Sequence, residues 1–214
     1  MRLLADAVEV RYRGLADPVL RGATVEVVRG ETVAVLGPSG SGKSTLLAVL
    51  GGLVRPTNGT VRVDIDGSAA PRPTDVTTWI LQTTNVFSER TALDNVAVAA
   101  LTLGVSVREA YLVAARHLAA VGLFGRRNSL ARHLSGGEVQ RVVIARALAS
   151  RRPFILADEP TGQLDHATTC VVLDALFEAV DESAALIVAT HDPTVAERCE
   201  RVVHIVDGRI VPER

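Results

Sequence analysis

The two ends of the chain alternate or block their apolar positions in strand-like fashion, while a long middle stretch follows a helical period. Residues 8–12 and 24–28 alternate with the period of half-buried strands, and Asp17-Pro18 between them marks a turn. Residues 32–36 form a short unbroken apolar run, the pattern of a strand buried on both faces. That run leads directly into a glycine-rich turn and then a helical segment over 44–50. A further strand is predicted over 59–65, closed by Asp66-Gly67, then a loop over 68–75 and a β-rich segment over 77–81.

From Thr91 to about Ser150 the pattern is helical. Thr91 with Asp94, and Ser106 with Glu109, have the spacing at which a helix-opening hydroxyl and an acid three residues on satisfy each other's backbone amides. Gly122 and Gly125 punctuate the end of the second of these helices. Alternation then resumes, with a strand over 154–157, a helix over 168–180, a strand over 184–190 and a short helix after Pro193. A hairpin of 201–206 with 209–211 closes the chain around Asp207-Gly208. The order predicts one α/β domain spanning 1–214, with a core from 1–87 and 151–214 and an all-helical insertion over about 88–150.

Composition narrows the setting. At 214 residues the chain can bury a core without disulfides or metals. Hydrophobic residues make up 48% but aromatics only 3%, so Val, Ala and Leu must do the packing. The net charge of −1 is dispersed, with no basic stripe, and no nucleic-acid partner is expected. Cys170 and Cys199 are isolated, which predicts a reduced, cytosolic chain with both thiols inert in the core. Residues 1–9 carry acids and no signal-peptide block. The most apolar long stretch, 96–107, falls short of the roughly 20 residues that cross a bilayer, so no membrane span is expected.

Three clusters carry chemistry. Gly37-Pro38-Ser39-Gly40-Ser41-Gly42-Lys43-Ser44-Thr45 lies between a buried strand and a helix, where glycines let successive N–H groups converge on phosphate oxygens. Lys43 supplies a point charge to the β- and γ-phosphates, and the Ser44 hydroxyl can ligate Mg²⁺. Second, the apolar strand 154–157 ends in Asp158 and Glu159, at the strand end that lines the ligand crevice of a parallel sheet. Asp158 is placed to hold Mg²⁺ and Glu159 to polarise an attacking water. Paired acids after a strand can also simply begin a turn. Third, Leu134-Ser135-Gly136-Gly137-Glu138 with Gln140-Arg141 opens a helix running to about Ala149. Ser135 and Glu138 have capping spacing, but capping does not explain two consecutive glycines, which weaken a helix start. A backbone that must approach an anion closely does.

This last string resembles the signature motif of the ABC transporter nucleotide-binding domains, and the resemblance extends over essentially the whole chain. It implies a P-loop NTPase fold: a RecA-like core with a β-subdomain and an inserted α-helical subdomain. Tyr12, by itself a plain strand aromatic, matches the residue that stacks on adenine. Gln82 matches the glutamine that contacts Mg²⁺ and the permease. Asp165 in the 162–165 loop matches the segment crossing the dimer interface, and His191 the switch histidine that senses the γ-phosphate. The resemblance further implies ATP and Mg²⁺ as ligands and head-to-tail pairing with itself or a paralogue. Ser135, Gly136, Gly137 and Glu138 would then serve the partner's nucleotide. A transmembrane permease would be the sole contact with the membrane, placing the chain on its cytoplasmic face. Residues 50–59, 91–96 and 157–162 are most similar to the lipoprotein-release, macrolide-export and FtsE-like cell-division ATPases. Export or lipoprotein or peptide release is therefore expected, with mechanical signalling across the membrane as the alternative. Two departures stand out: the stretch between Asp66 and Gln82 is short for this group, and Gln163 replaces its Asn or Ala.

Overall fold

The computed structural model describes residues 1–65, 71–81, 85–162, 164–178, 180 and 184–211. They fall into two compact units. The first comprises 1–78, 153–159 and 180–214, and the second 79–152 and 160–179. This partition differs from the expected insertion over about 88–150 by assigning 79–87, 151–152 and 160–179 to the helical unit.

The first unit holds two sheets. β1 (Arg2–Val10), β2 (Leu20–Val28) and β4 (Asn58–Asp64) form an antiparallel sheet in the order β2-β1-β4. Their alternation is that of a sheet with one buried face: Leu3, Ala5, Val8 and Val10 of β1 are buried with Leu20, Ala23, Val25 and Val27 of β2. The second sheet takes β3 (Thr32–Leu36), β6 (Phe154–Asp158), β7 (Ala185–Thr190), β8 (Arg201–Val206) and β9 (Arg209–Val211) in the order β6-β7-β3-β8-β9. β3 pairs in parallel with β7 and β8, and β6 with β7, whereas β9 runs antiparallel to β8. All six residues of β7 are buried, as the unbroken apolar pattern requires of a central parallel strand. Helices α1 (Lys43–Leu50) and α7 (Pro193–Ala196) belong to this unit, as does α2 (Pro73–Val76). α2 corrects the expected loop over 68–75 at its last three residues, while 68–70 lie outside the described residues. Pro73 takes the first helical turn, where a missing N–H is harmless, and Asp75 bonds back to the Arg72 amide at 3.2 Å. A four-residue helix is too short to leave a periodic signal. β5 (Thr77–Ile80) carries the unit boundary.

The second unit packs α3 (Ala92–Leu101), α4 (Val107–Ala120) and α5 (Gly136–Ala149) against one another, with α6 (His166–Glu178) against α5. The N-caps are those the sequence predicts. Thr91 Oγ1 accepts from the Asp94 amide at 3.0 Å and Ser106 Oγ from that of Glu109 at 3.2 Å. Asn95, wholly buried, accepts from the Phe87 amide at 2.7 Å and donates to the Phe87 and Thr91 carbonyls, tying the entry segment onto α3. Among the described residues no helix is long and apolar enough to cross a membrane.

The two cysteines divide. Cys170 is exposed on α6, not in the core: the buried stripe of that helix passes through Val172, Leu173, Ala175 and Leu176. Cys199 is half-buried, its thiol directed at the Val195 carbonyl, and burial pushes its pKa up to about 11. Only the thiolate reacts, so at pH 8 the reactive fraction at Cys199 is roughly a hundredfold below that of an ordinary thiol of pKa near 8.5. Iodoacetamide at that pH should therefore label Cys170 first and Cys199 about two orders of magnitude more slowly, as read by peptide mass mapping. Equal rates would contradict this placement of Cys199.

Candidate functional site

The parallel register of the larger sheet decides where its loops gather. Leu36 pairs with Thr190 and Asp158 with Ala189, so β3, β6 and β7 end at the same level. Loops leaving strands at that edge share one crevice. From β3 the chain enters the glycine loop. Pro38, Ser39 and Gly40 are exposed, whereas Ser41, Gly42 and Lys43 are buried. Gly37 admits no side chain, since a Cβ there would lie 2.2 Å from the Ile205 carbonyl oxygen. Gly42 (φ +107°) opens α1 in the left-handed region, and its carbonyl accepts from the Leu46 amide at 2.8 Å. The loop thus delivers a run of amides and a helix start to one place, the arrangement that binds phosphate.

The side chains around this loop are paired with one another. Lys43 Nζ donates to the Gly37 and Pro38 carbonyls at 2.7 and 3.1 Å, closing the loop on itself. Ser44 Oγ donates to Asp158 Oδ1 at 3.0 Å. Burial raises the Asp158 pKa, against the Ser44 hydrogen bond, with the adjacent Glu159 charge adding to the rise. Glu159 follows at φ +47°, its amide held by the Ala189 carbonyl at 2.9 Å. One of its carboxylate oxygens lies 2.7 Å from His191 Nδ1 and the other accepts from Thr190 Oγ1 at 3.5 Å. The His191 ring is otherwise exposed. Tyr12 stands just past β1, 40% exposed, with its hydroxyl 3.4 Å from Thr45 Oγ1. An aromatic face open to solvent beside the loop can take a planar base.

In the second unit Ser135 caps α5. Its Oγ accepts from the Glu138 amide at 3.3 Å, and its own amide donates to Glu138 Oε2 at 2.8 Å. Ser135 and Gly136 are exposed, so this helix start faces outward. The Ser135 backbone hydrogen bond holds the Glu138 carboxyl below its ordinary pKa, with Arg126, 3.2 Å away, adding to the effect. Asp165 opens α6, accepting from the Thr168 amide and hydroxyl at 2.9 and 2.8 Å. Gln82 lies outside the described residues. Two contacts went unread in the sequence: Thr190 on Glu159, and Gln140, whose Nε2 donates to the Pro160 carbonyl at 3.1 Å from a wholly enclosed position. Both residues sit inside motif strings, but no spacing rule marks either as a contact.

A strand, a glycine loop, a helix and an Asp-Glu pair at the end of a second parallel strand, with β7 between the two strands, define a P-loop nucleoside triphosphatase. The sequence profile described as ABC transporter matches residues 20–162. A lipoprotein-releasing system ATP-binding protein LolD of Legionella pneumophila (strain Paris) is 40% identical over 200 residues, covering 90% of this chain and 88% of that protein. The macrolide export ATP-binding/permease protein MacB of Bradyrhizobium diazoefficiens is 42% identical over 214 residues, 96% of this chain. The chain spans only 32% of that longer protein. Among solved structures, the dimeric ATP-binding cassette MJ0796 in a post-hydrolysis state bound to ADP and Pi superposes with a TM-score of 0.88. It is 33% identical, over 99% of this chain and 97% of that one. The chain belongs to the ABC transporter family, as its ATP-binding and ATP-hydrolysing subunit.

An ionised Asp158 is disfavoured by burial in the nucleotide-free chain, so removing its charge should stabilise that state. Asp158→Asn keeps an oxygen for Ser44 and should raise the thermal midpoint modestly, since solvent screens part of the half-buried charge. It should abolish ATP hydrolysis as well. A lowered midpoint in calorimetry would refute this reading of the buried charge.

Proposed function

We propose that two copies of the chain close head to tail on two molecules of Mg·ATP, driving a separate transmembrane permease. The observation that carries this is the exposed, glycine-opened start of α5. A helix terminus whose first two residues are glycines, turned to solvent, is suited to an anion brought by another molecule. The dimeric state of MJ0796, with ADP and Pi bound, supports pairing.

In this reading Tyr12 stacks on adenine, the loop from Gly37 to Gly42 wraps the phosphates, and Lys43 leaves its two carbonyls for the β- and γ-oxygens. Ser44 Oγ and Asp158 Oδ1 are hard oxygen donors 3.0 Å apart, a set that fits Mg²⁺ carried in on nucleotide, with Gln82 as a third. Bound there, Mg²⁺ would neutralise charge on the β- and γ-oxygens. Glu159 orients a water whose oxygen attacks the γ-phosphorus as the bond to the ADP oxygen breaks, and the water's proton passes toward the carboxylate. His191 exchanges Glu159 for the γ-phosphate, and so registers whether ATP or ADP is present. Ser135, Gly136, Gly137 and Glu138 of one copy complete the site of the other, and Asp165 stands at the join.

The cargo is of the export or release kind, a lipoprotein, peptide or amphipathic small molecule. By their names the two relatives release lipoproteins and export macrolides, which favours transport over mechanical signalling. The chain acts on the cytoplasmic face of the membrane, reaching it only through the permease, as a homodimer or with a paralogue.

Glu159→Gln should retain ATP binding while steady-state hydrolysis falls by roughly 10² or more, and an ATP-dependent dimer should accumulate in size-exclusion chromatography. Hydrolysis at the wild-type rate would remove Glu159 from its role. Lys43→Ala should weaken binding itself by about tenfold or more, the worth of a charge-assisted hydrogen bond. Titration with a fluorescent ATP analogue measures this, and unchanged affinity would sink the assignment.

A further inference from the structure

The turn of the closing hairpin, Asp207-Gly208, lies against the phosphate loop. The Gly208 amide donates to the Ser41 carbonyl at 3.0 Å, and the Gly208 carbonyl accepts from the Arg21 amide at 2.8 Å. Through its two main-chain groups this residue links the loop to the start of β2. A trans peptide unit is planar, so the Ser41 carbonyl and the Gly42 amide point in opposite directions. Fixing the carbonyl on the hairpin side therefore aims the Gly42 N–H away from the hairpin. Ser41 is only 4% exposed, which leaves little room for water to replace the hairpin as donor.

The fit is close on every side. A Cβ on Gly208 (φ +75°) would lie 2.3 Å from the Val19 carbonyl oxygen. A Cβ on Gly42 would lie 3.0 Å from that same oxygen. A side chain at 208 must push the turn off Val19, and the Ser41 carbonyl with it.

We infer that Gly208 is a positioning residue for the phosphate cradle: it sets the direction of the Gly42 amide without itself touching nucleotide. The inference rests on residues 37–45 binding phosphate, as proposed above.

Gly22 in β2 provides the control. Its backbone is nearly the same (φ +74°), but nothing lies within 4 Å of the position its Cβ would take. Gly208→Ala and Gly22→Ala thus impose similar backbone strain, and only the first disturbs the loop. Gly208→Ala should raise the KM for ATP, and the Kd for a fluorescent ATP analogue, by about tenfold, the worth of one hydrogen bond to a charged group. Its kcat at saturating ATP should stay within about threefold, since the lost amide contact serves ground and transition states alike. Gly22→Ala should leave KM and Kd within about twofold even where its thermal midpoint falls as far. In the wild-type protein, a non-hydrolysable ATP analogue should slow amide exchange over 205–210 together with 37–45. Should Gly208→Ala fail to fold, the exchange measurement decides alone. Wild-type affinity in Gly208→Ala, or slowed exchange confined to 37–45, overturns the inference and leaves the cradle standing. Absence of nucleotide binding by the wild-type protein overturns both.

Discussion

Backbone amides can meet a polyanion only where no side chain stands between them and nothing else consumes their hydrogens. Most features of the first unit follow from that constraint. It calls for a glycine loop pressed so closely onto β8 that a Cβ at Gly37 would collide with the Ile205 carbonyl. It also calls for a strand whose end is fixed on both sides, and the parallel pairings of β3 with β7 and β8 supply this. Val, Ile and Ala suffice for the inner strands of such a sheet, since β7 is wholly buried and β3 and β6 nearly so. A chain with few aromatics is what that architecture needs.

Without nucleotide the site is far from a set of idle charges. Lys43 sits on its own loop's carbonyls, Ser44 on Asp158, and His191 on Glu159. In the proposed reading each of these bonds gives way for the substrate, so binding would exchange one set of hydrogen bonds for another. The net gain is correspondingly smaller than a count of contacts to ATP would suggest. These bonds also keep the half-buried carboxylates of Asp158 and Glu159 partnered when the site is empty, where an unpaired charge would weigh against folding.

Much of this was legible from the residues. The buried strands 32–36 and 154–157 stood out because parallel strands lack alternation, and Thr91, Ser106 and Ser135 marked helix starts that the hydrogen bonds bear out. The closing hairpin followed from Asp207-Gly208. What escaped has a common cause. Cys170 was expected in the core on residue type alone, yet which side of α6 it occupies depends on what that helix packs against. The short helix α2 is held by one proline and one acid, below the length at which period is detectable. The bonds of Thr190 to Glu159 and of Gln140 to Pro160 depend on strand order and helix placement, which no local spacing encodes.

Glu159 occupies a left-handed backbone (φ +47°) immediately before a proline, a combination that sterics disfavour for a residue with a side chain. The direction in which its side chain leaves the main chain is thereby set by the fold, at the shoulder of the residue. A side chain mounted this way keeps its point of departure after its hydrogen-bond partners let go, so in the proposed mechanism an acid released by the histidine stays rooted beside the strand end.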